Sequence, residues 1–295
     1  MRKIFIFICT IASVAAHLCA TGAEKLQVPS PAELEQISDS ILDEGLRLYL
    51  YEHLAWVSSD SLMKYCPLVQ EINGSGVYVD SAMVFHYFYT RDDDVLFTYN
   101  FDATRAMECW DATPHTMVQE ELDAKNERRD CINLALKTYG DSIYNIRDAK
   151  GSLNIDVIRV SPDLIRVYFL QGTTLHVVPF GNDYSVDINQ NKDVLSFRRY
   201  HHSYIPLPID VDGERVEAMY HSHTPDNPYI TATDICNSLL YARDIYGMTT
   251  HYVLSTAFEK AHLQIFDMQN ITLRFVEYED FKEGIKKAEE YSNED

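Results

Sequence analysis

Two histidines, a threonine and an aspartate late in the chain are spaced as metal ligands often are. His221 and His223 have one serine between them, and a loop with two prolines leads to Thr231 and Asp234. On an extended strand, side chains two positions apart point the same way, so both imidazoles can contact one ion. Asp234 would join them from the first turn of the next helix. Two imidazoles and one carboxylate with an open fourth position are typical of a catalytic zinc site.

The spacing His-x-His-x7-Thr-x-x-Asp resembles the signature of the JAMM metalloproteases, also called MPN or JAB-like domains, with Thr231 where that family has serine. The resemblance loosely covers about half of the chain and is specific at only a few residues. It implies a zinc ion held by His221, His223 and Asp234, which activates a water molecule as nucleophile. It also implies that Thr231 helps to hold the oxyanion and that the substrate is a peptide or isopeptide bond, so a protein or peptide is the expected partner.

The general base of the JAMM family is the part of the signature that this chain lacks. The family takes a glutamate from an upstream segment, yet no glutamate lies between Glu127 and Glu214. Asp148 lies near the expected position and is the best substitute. Glu217 shares strand parity with the histidines, but four residues along a strand is roughly 13 Å. Two functions therefore stay open: a zinc-dependent peptidase or isopeptidase, and a non-catalytic JAB/MPN-like binding or scaffolding module with a degenerate metal site.

The residues around the motif also have purely structural explanations. Thr231 and Asp234 form a good N-terminal cap for a helix, with or without a metal. His201 and His202 are predicted to lie at a surface or interface. His251 and His262 fall on predicted strands near the motif. Either they have no role at the site, or they form hydrogen bonds to a metal ligand.

The elements that must position these residues alternate between helices and short strands. A helix is predicted from the Ser30-Pro31 cap to about residue 52, and a hairpin over residues 77–101. A second helix is predicted from Thr113-Pro114 to about Gly140. Short strands then follow, with a helix over 231–246 that carries Asp234 and a terminal helix over 280–291. This order predicts an α+β fold with a mixed, largely antiparallel sheet flanked by helices, divided into an N-terminal region (24–140) and a JAB-like domain (141–295).

The first residues and the overall composition predict an exported, folded protein. Arg2 and Lys3, an apolar run over 4–16 and small residues up to Ala23 form a signal peptide over residues 1–23, so the expected location is periplasmic or extracellular. The residues before Cys19 argue against lipid anchoring, and no later apolar run reaches the roughly 20 residues of a membrane span. A net charge of −20 argues against nucleic acid as a partner. Four cysteines outside the signal could form two disulfides, and the sequence does not choose among the pairings.

Overall fold

Helices and mostly antiparallel sheets make up the chain, so the predicted α+β class is confirmed. The computed structural model describes residues 25–102, 107–144 and 152–292, without the side chains of 288–292. The predicted signal peptide over 1–23 lies outside these residues. Within the described ranges, no helix combines the length and the apolar character that crossing a bilayer requires.

The first described helix, α1 (Pro31–Tyr65), is longer than the sequence predicted. Its start is as expected: the Ser30 hydroxyl accepts from the Glu33 amide, and the Glu33 carboxylate accepts from the Ser30 amide at 2.8 Å. The helix then continues past residue 52 without a break, because its later turns bury Leu54 and Leu62 against the sheet that follows. Tertiary packing thus decides where α1 ends.

An antiparallel sheet follows α1. Its strands are β1 (Gly74–Asp80), β2 (Met83–Tyr89), β3 (Asp94–Asp102), β4 (Met107–Asp111) and β5 (His115–Thr116). The first predicted strand of the hairpin, over 77–89, is wrong, because a tight turn with Ser81 at φ 55° divides it into β1 and β2. Apolar and aromatic residues continue on both sides of this turn, so composition alone does not reveal it.

Helix α2 (Gln119–Ile143) begins later than predicted. The Thr113 amide donates to the Asp111 carboxylate at 2.8 Å, so the expected cap belongs to a turn between β4 and β5. The real start is at Val118, whose amide donates to the Glu121 side chain at 3.0 Å. One face of α2 packs on the next sheet through Cys131, Ala135 and other buried residues.

The predicted run of short strands after residue 152 is present. Its strands are β6 (Leu153–Ser161), β7 (Leu164–Gln171), β8 (Val177–Phe180), β9 (Tyr184–Asn189), β10 (Val194–Arg199), β11 (Ile205–Pro208), β12 (Asp210–Val211) and β13 (Glu214–Arg215). Four of these strands form an antiparallel sheet in the order β10-β9-β7-β6. Strand β8 is not part of it and pairs with β11 instead. A hydrophobic pattern predicts where a strand lies in the sequence, but it does not predict which other strand it pairs with.

The last sheet carries the candidate ligands. Its elements are β14 (Ala218–His223), helix α3 (Ala232–Asn237), β15 (Thr250–Ser255), β16 (His262–Asp267), β17 (Thr272–Glu277) and helix α4 (Tyr278–Ser292). The pair β14–β15 is parallel and the others are antiparallel. The predicted helix over 231–246 is α3 followed by a π-helical segment, Ser238–Arg243, in which the Asp244 amide bonds the Leu239 carbonyl five residues back.

Helix α1 packs directly on helix α3. A Cβ atom at Gly45 would lie 2.5 Å from Ile235 Cβ, so only glycine permits this approach. One turn on, Leu48 shares a buried cluster with Cys236. The first helix therefore supports the helix that carries Asp234. The division of the chain at residue 140 stays a prediction, and these contacts cross it.

The cysteines of the described chain are free thiols. Three of them, Cys66, Cys131 and Cys236, are buried, and Cys109 is exposed. Neither of the two disulfides that the sequence left open is present among them.

Candidate metal centre

Strand β14 presents both histidines of the motif to the interior. Along it the side chains alternate, with His221 and His223 buried and Ser222 between them only partly covered. The parallel partner β15 lies on one side, with His221 opposite Val253. The expectation that the two imidazoles point the same way is met: one ring nitrogen of each belongs to a group of ligand atoms that all lie within 4.8 Å of one another.

Asp234 reaches the same group from the first turn of α3. Its carboxylate oxygen Oδ2 accepts from the Thr231 amide at 2.8 Å and from the Thr231 hydroxyl at 2.7 Å. The Thr231 hydroxyl in turn accepts from the Asp234 amide at 3.2 Å. These bonds fix the orientation of the carboxylate through Oδ2. The other oxygen, Oδ1, is buried and has no hydrogen-bond partner. A buried carboxylate oxygen without a partner is costly unless a cation completes it.

His201 joins the group as a fourth member, which corrects the prediction that it lies at the surface. The residue follows β10, is only 5% exposed, and places Nε2 3.4 Å from His221 Nε2 and 3.1 Å from His223 Nε2. Its Nε2 also lies 3.2 Å from Asp234 Oδ1. His202, the next residue, has a side chain that is 54% exposed. Of the two adjacent histidines, one therefore faces the site and the other faces solvent.

Hydrogen bonds fix which nitrogen of His201 and His223 carries the proton. His201 Nδ1 lies 2.8 Å from Asp183 Oδ1, and His223 Nδ1 lies 2.7 Å from the Tyr229 carbonyl oxygen. A carboxylate and a carbonyl can only accept, so both Nδ1 atoms must donate. In the neutral rings this leaves a lone pair on each Nε2, directed at the other ligand atoms.

A longer chain of bonds fixes His221 in the same way. The Ser238 hydroxyl donates to the Asp234 carbonyl at 2.6 Å, so it must accept from His251 Nδ1, 2.8 Å away. His251 Nε2 then accepts from His221 Nδ1 at 2.9 Å. His221 Nε2 is left with the lone pair. His251 therefore makes the hydrogen bond considered for it, to the candidate ligand His221, whereas His262 Nδ1 bonds the Lys260 carbonyl.

Several of the separations are close to those of ligands around one small ion. Five nitrogen–nitrogen and nitrogen–oxygen distances among the four residues, counted over both oxygens of Asp234, are 3.1–3.5 Å, and one ligand atom of each residue lies within 4.8 Å of all the others. A tetrahedral ion with bonds of about 2.0–2.1 Å holds its ligand atoms about 3.3–3.4 Å apart. The four side chains can therefore hold a metal ion.

Burial and charge act against each other at these groups. Burial works to raise the pKa of the Asp234 carboxyl, but the three histidines outweigh it and hold that pKa well below its ordinary value. Burial disfavours charge on His201, yet the carboxylates of Asp183 and Asp234 raise its pKa well above the ordinary value. Burial lowers the pKa of His221. The metal-free site thus favours one proton beside the carboxylate, in the place that a metal would take.

Of the other predicted site residues, the structure describes Glu217 and Thr231, and neither joins this group. Asp148, the proposed base, lies outside the described residues. Glu217 is exposed, one residue before β14 begins. Thr231 lies beside the site, but its hydroxyl is bonded to Asp234 and lies 2.9 Å from the Thr233 hydroxyl. The helix-cap explanation for Thr231 and Asp234 therefore holds, and it leaves Asp234 Oδ1 free as a candidate ligand atom.

Comparison with known proteins identifies no relative. No family model matches the chain, no curated protein sequence matches it, and no solved structure matches it. The resemblance to JAMM metalloproteases thus rests on the residues of the motif and stays a prediction.

Proposed function

We propose that this protein binds one zinc(II) ion through His201, His221, His223 and Asp234, and that the ion stabilises the fold. The observation that carries the proposal is the convergence of four buried donor atoms within 4.8 Å of one another, three of them nitrogens that carry the lone pair of a neutral ring because of the hydrogen bond on the far side of that ring. Metal-binding histidines characteristically have such a bond at the other ring nitrogen.

The donor set favours zinc over other divalent ions. Imidazole suits zinc, copper, iron and nickel, whereas calcium and magnesium prefer sites built from oxygen. A compact four-coordinate arrangement is the usual geometry of zinc. The unpartnered Asp234 Oδ1 supplies the one negative charge of the set.

A structural role follows from what the four residues connect. His221 and His223 lie on β14, Asp234 on α3, and His201 on the segment that leaves β10, which belongs to a different sheet. An ion bound to all four would join that sheet to β14 and to the helix. Because the unfolded chain lacks this site, the binding free energy becomes folding free energy.

Hydrolysis of a peptide or isopeptide bond is the second candidate, supported by the succession of β14, α3 and β15 that the JAMM resemblance implies. A catalytic zinc keeps one position open for water or substrate, whereas His201 brings the number of protein donors to four. The peptidase function would require His201 to leave the ion. Four protein ligands make the stabilising role the better proposal.

Metal analysis tests whether the site binds zinc. Protein purified with zinc should contain about one ion per chain, and the double variant His221→Ala with His223→Ala should contain none. Removing the metal from the wild type with a chelator should lower Tm, and returning zinc should restore it. Wild-type protein that takes up no stoichiometric metal, even after reconstitution, overturns the proposal.

Cobalt substitution separates the stabilising role from the hydrolytic one. Cobalt(II) in place of zinc gives visible absorption bands whose intensity reports coordination number. With four protein ligands, added azide should leave the wild-type spectrum unchanged and should change that of His201→Ala. An azide-dependent spectrum in the wild type would indicate an open position and would favour the peptidase.

A further inference from the structure

A groove lies between the first turns of α1 and strand β17, at the end of the last sheet that is opposite to β14. Its volume is about 570 Å³, within the range of ligand pockets. We call it the edge groove. Residues of α1, among them Leu34, Glu35, Asp39 and Leu42, form one wall, and residues 271–276 form the other.

The edge groove follows the outer edge of β17 and not one of its faces. Consecutive residues of a strand point to opposite faces of the sheet. A pocket on one face would therefore be lined by every second residue of the strand. The edge groove is lined by all five residues of the run 272–276, so it must extend along the edge of the sheet.

The backbone of β17 has no partner on this edge. Within the described chain β17 pairs with β16 alone, and no other backbone hydrogen bond joins residues 272–277 to the rest of the fold. In an antiparallel pair every second residue points its N–H and C=O groups away from the partner strand. Three of the six residues of β17 thus present both groups outward. Such an edge is a template for one more strand.

The two faces of β17 differ, which determines what an added strand would contact. Leu273 and Phe275 belong to the cluster in which Leu42 of α1 packs, whereas Val276 packs with Phe281 of α4 on the other face. Arg274 shares the face of Val276, because the two are two positions apart. A strand added to β17 would therefore direct every second side chain towards α1.

The α1 wall of the edge groove carries two negative charges that nothing compensates. Glu35 and Asp39 are exposed, lie four positions apart on the helix, and make no hydrogen bond or ion pair within the described chain. Like charges at this spacing repel each other. Arg274, the cation of the lining, lies on the opposite face of β17. A positively charged side chain placed on the α1 side would relieve the repulsion.

We propose that the edge groove binds an extended segment of a partner protein, which adds to β17 as a strand and places a lysine or arginine against Glu35 and Asp39. Backbone hydrogen bonds supply affinity in this mode of recognition, and alternate side chains supply specificity. The side chains directed at α1 are one basic residue with apolar neighbours, which contact Leu34 and Leu42. Because β17 and β14 lie at opposite ends of the sheet, the proposal does not depend on the metal centre.

Calorimetric titration of the full-length protein with capped heptapeptides tests the proposal. The probes are acetyl-Thr-Val-Thr-Lys-Thr-Val-Thr-amide and its analogue with leucine in place of valine. At least one should bind. A peptide with glutamate in place of lysine should bind about tenfold more weakly or less. The peptide acetyl-Thr-Pro-Thr-Lys-Pro-Val-Thr-amide keeps the charge but lacks backbone donors on both edges, and it should not bind.

Three results of the peptide titrations overturn the proposal. Binding of neither lysine peptide would show that the groove does not accept a strand of this chemistry. Equal binding of the lysine and glutamate peptides would remove the role of the acids. Equal binding of the lysine and proline peptides would show a general attraction to an acidic protein, without strand pairing.

Variants of α1 place the binding in the edge groove. The double variant Glu35→Gln with Asp39→Asn should weaken binding of the lysine peptide about three- to tenfold, as expected for two exposed ion pairs. Glu35→Lys with Asp39→Lys should reverse the preference, so that the glutamate peptide binds more tightly. Asp60→Asn is the matched control, because Asp60 is exposed on the same helix outside the groove. Unchanged affinity in the first double variant, with thermal melting showing that it is folded, would overturn the assignment.

A second copy of the chain is the competing occupant. Pairing of β17 with the same strand of another copy would bring Glu35 and Asp39 of both copies to one side of the joined sheet, where like charges repel. Sedimentation velocity distinguishes the two occupants. The free protein should sediment as a monomer, and self-association that the lysine peptide reverses would overturn the proposal.

Discussion

His201 Nε2 lies 3.1 Å from His223 Nε2, and hydrogen bonds at the opposite nitrogen of each ring leave both atoms with a lone pair when the rings are neutral. Two lone pairs at that distance repel unless a proton or a metal lies between them. Asp234 Oδ1, also without a donor, lies 3.2 Å from the same His201 atom. This convergence supports the proposal that His201 is a ligand and not a neighbour of the site.

Removing His201 should therefore cost more metal affinity than removing an outer partner. We expect His201→Ala to weaken zinc binding by at least about 100-fold, since the loss of a hydrogen-bond partner alone typically costs about 10–100-fold. His202→Ala is the matched control, because His202 is the adjacent histidine and is bonded to Asp226 in solvent. Competition titration against a chromophoric zinc chelator measures both. Equal affinity of the two variants would remove His201 from the ligand set.

Asp183 should influence the metal through the His201 ring. Its carboxylate accepts from His201 Nδ1 and from the Thr233 hydroxyl. Asp183→Asn takes away the charge and allows an amide group to face the ring, which favours the tautomer with a proton on Nε2. We expect zinc affinity to fall about 10–100-fold.

The control for Asp183 is Asp226→Asn at the exposed His202 pair. It makes the same chemical change beside the neighbouring histidine, 2.9 Å from His202 Nε2. Zinc affinity of this variant should match the wild type in the same competition titration. An Asp183→Asn protein with wild-type affinity would mean that the tautomer of His201 is set by something other than Asp183.

The sequence predicted three of the four donors because they follow local rules. Alternation along a strand places His221 and His223 on one face, and a helix cap places Asp234 beside them. His201 lies twenty residues from His221, and its approach depends on how β10 and β14 are placed in separate sheets. No periodicity in the sequence encodes that placement. The adjacent His202 has almost the same sequence neighbours and yet is exposed, so the local sequence does not distinguish the two histidines.

The helix and strand boundaries show the same limit. The start of α1 at the Ser30 cap is predicted correctly, since the cap and its partner Glu33 act within one turn. The end of α1 is not predicted correctly, because Leu54 and Leu62 lie in later turns of the helix and pack against a sheet formed by residues further along the chain. The start of α2 was misplaced, because the turn residue Asp111 uses the Thr113 amide that the predicted cap would need.

Gly45 should control how closely α1 supports the helix of Asp234. Gly45→Ala would place a methyl group 2.5 Å from Ile235 Cβ, so one of the two helices must move. We expect a loss of about 1–3 kcal/mol in the free energy of unfolding, together with weaker zinc binding as α3 shifts. Urea denaturation and zinc titration measure the two effects.

Gly140→Ala is the control for the helical glycine. Gly140 is in α2, and a Cβ there would meet no atom of the described residues within 4 Å. Alanine at this position should stabilise the protein by about 0.5–1 kcal/mol, because it reduces the conformational entropy of the unfolded chain. Similar effects of the two substitutions would show that the contact between Gly45 and Ile235 does not restrain the helices.

His86 should make the protein less stable as the pH falls. The residue is buried on β2, its Nδ1 lies 2.5 Å from the Ser58 hydroxyl, and burial lowers its pKa to about 4. Between pH 6.5 and 4 the unfolded chain binds a proton at this histidine and the folded chain does not. The free energy of unfolding must then decrease as the pH decreases, by about 3 kcal/mol from this group over the whole interval.

Comparing the wild type with His86→Asn isolates this contribution from the carboxyl groups that titrate over the same range. The variant keeps a polar group near Ser58 but does not titrate, so the difference between the two free energies of unfolding should change with pH by about 3 kcal/mol. Urea denaturation at several pH values between 4 and 7 measures it. His176→Asn, a substitution at an exposed histidine, should leave the wild-type dependence unchanged. A constant difference between wild type and His86→Asn would mean that His86 is protonated equally in the folded and unfolded chains, and that its burial does not disfavour the charge.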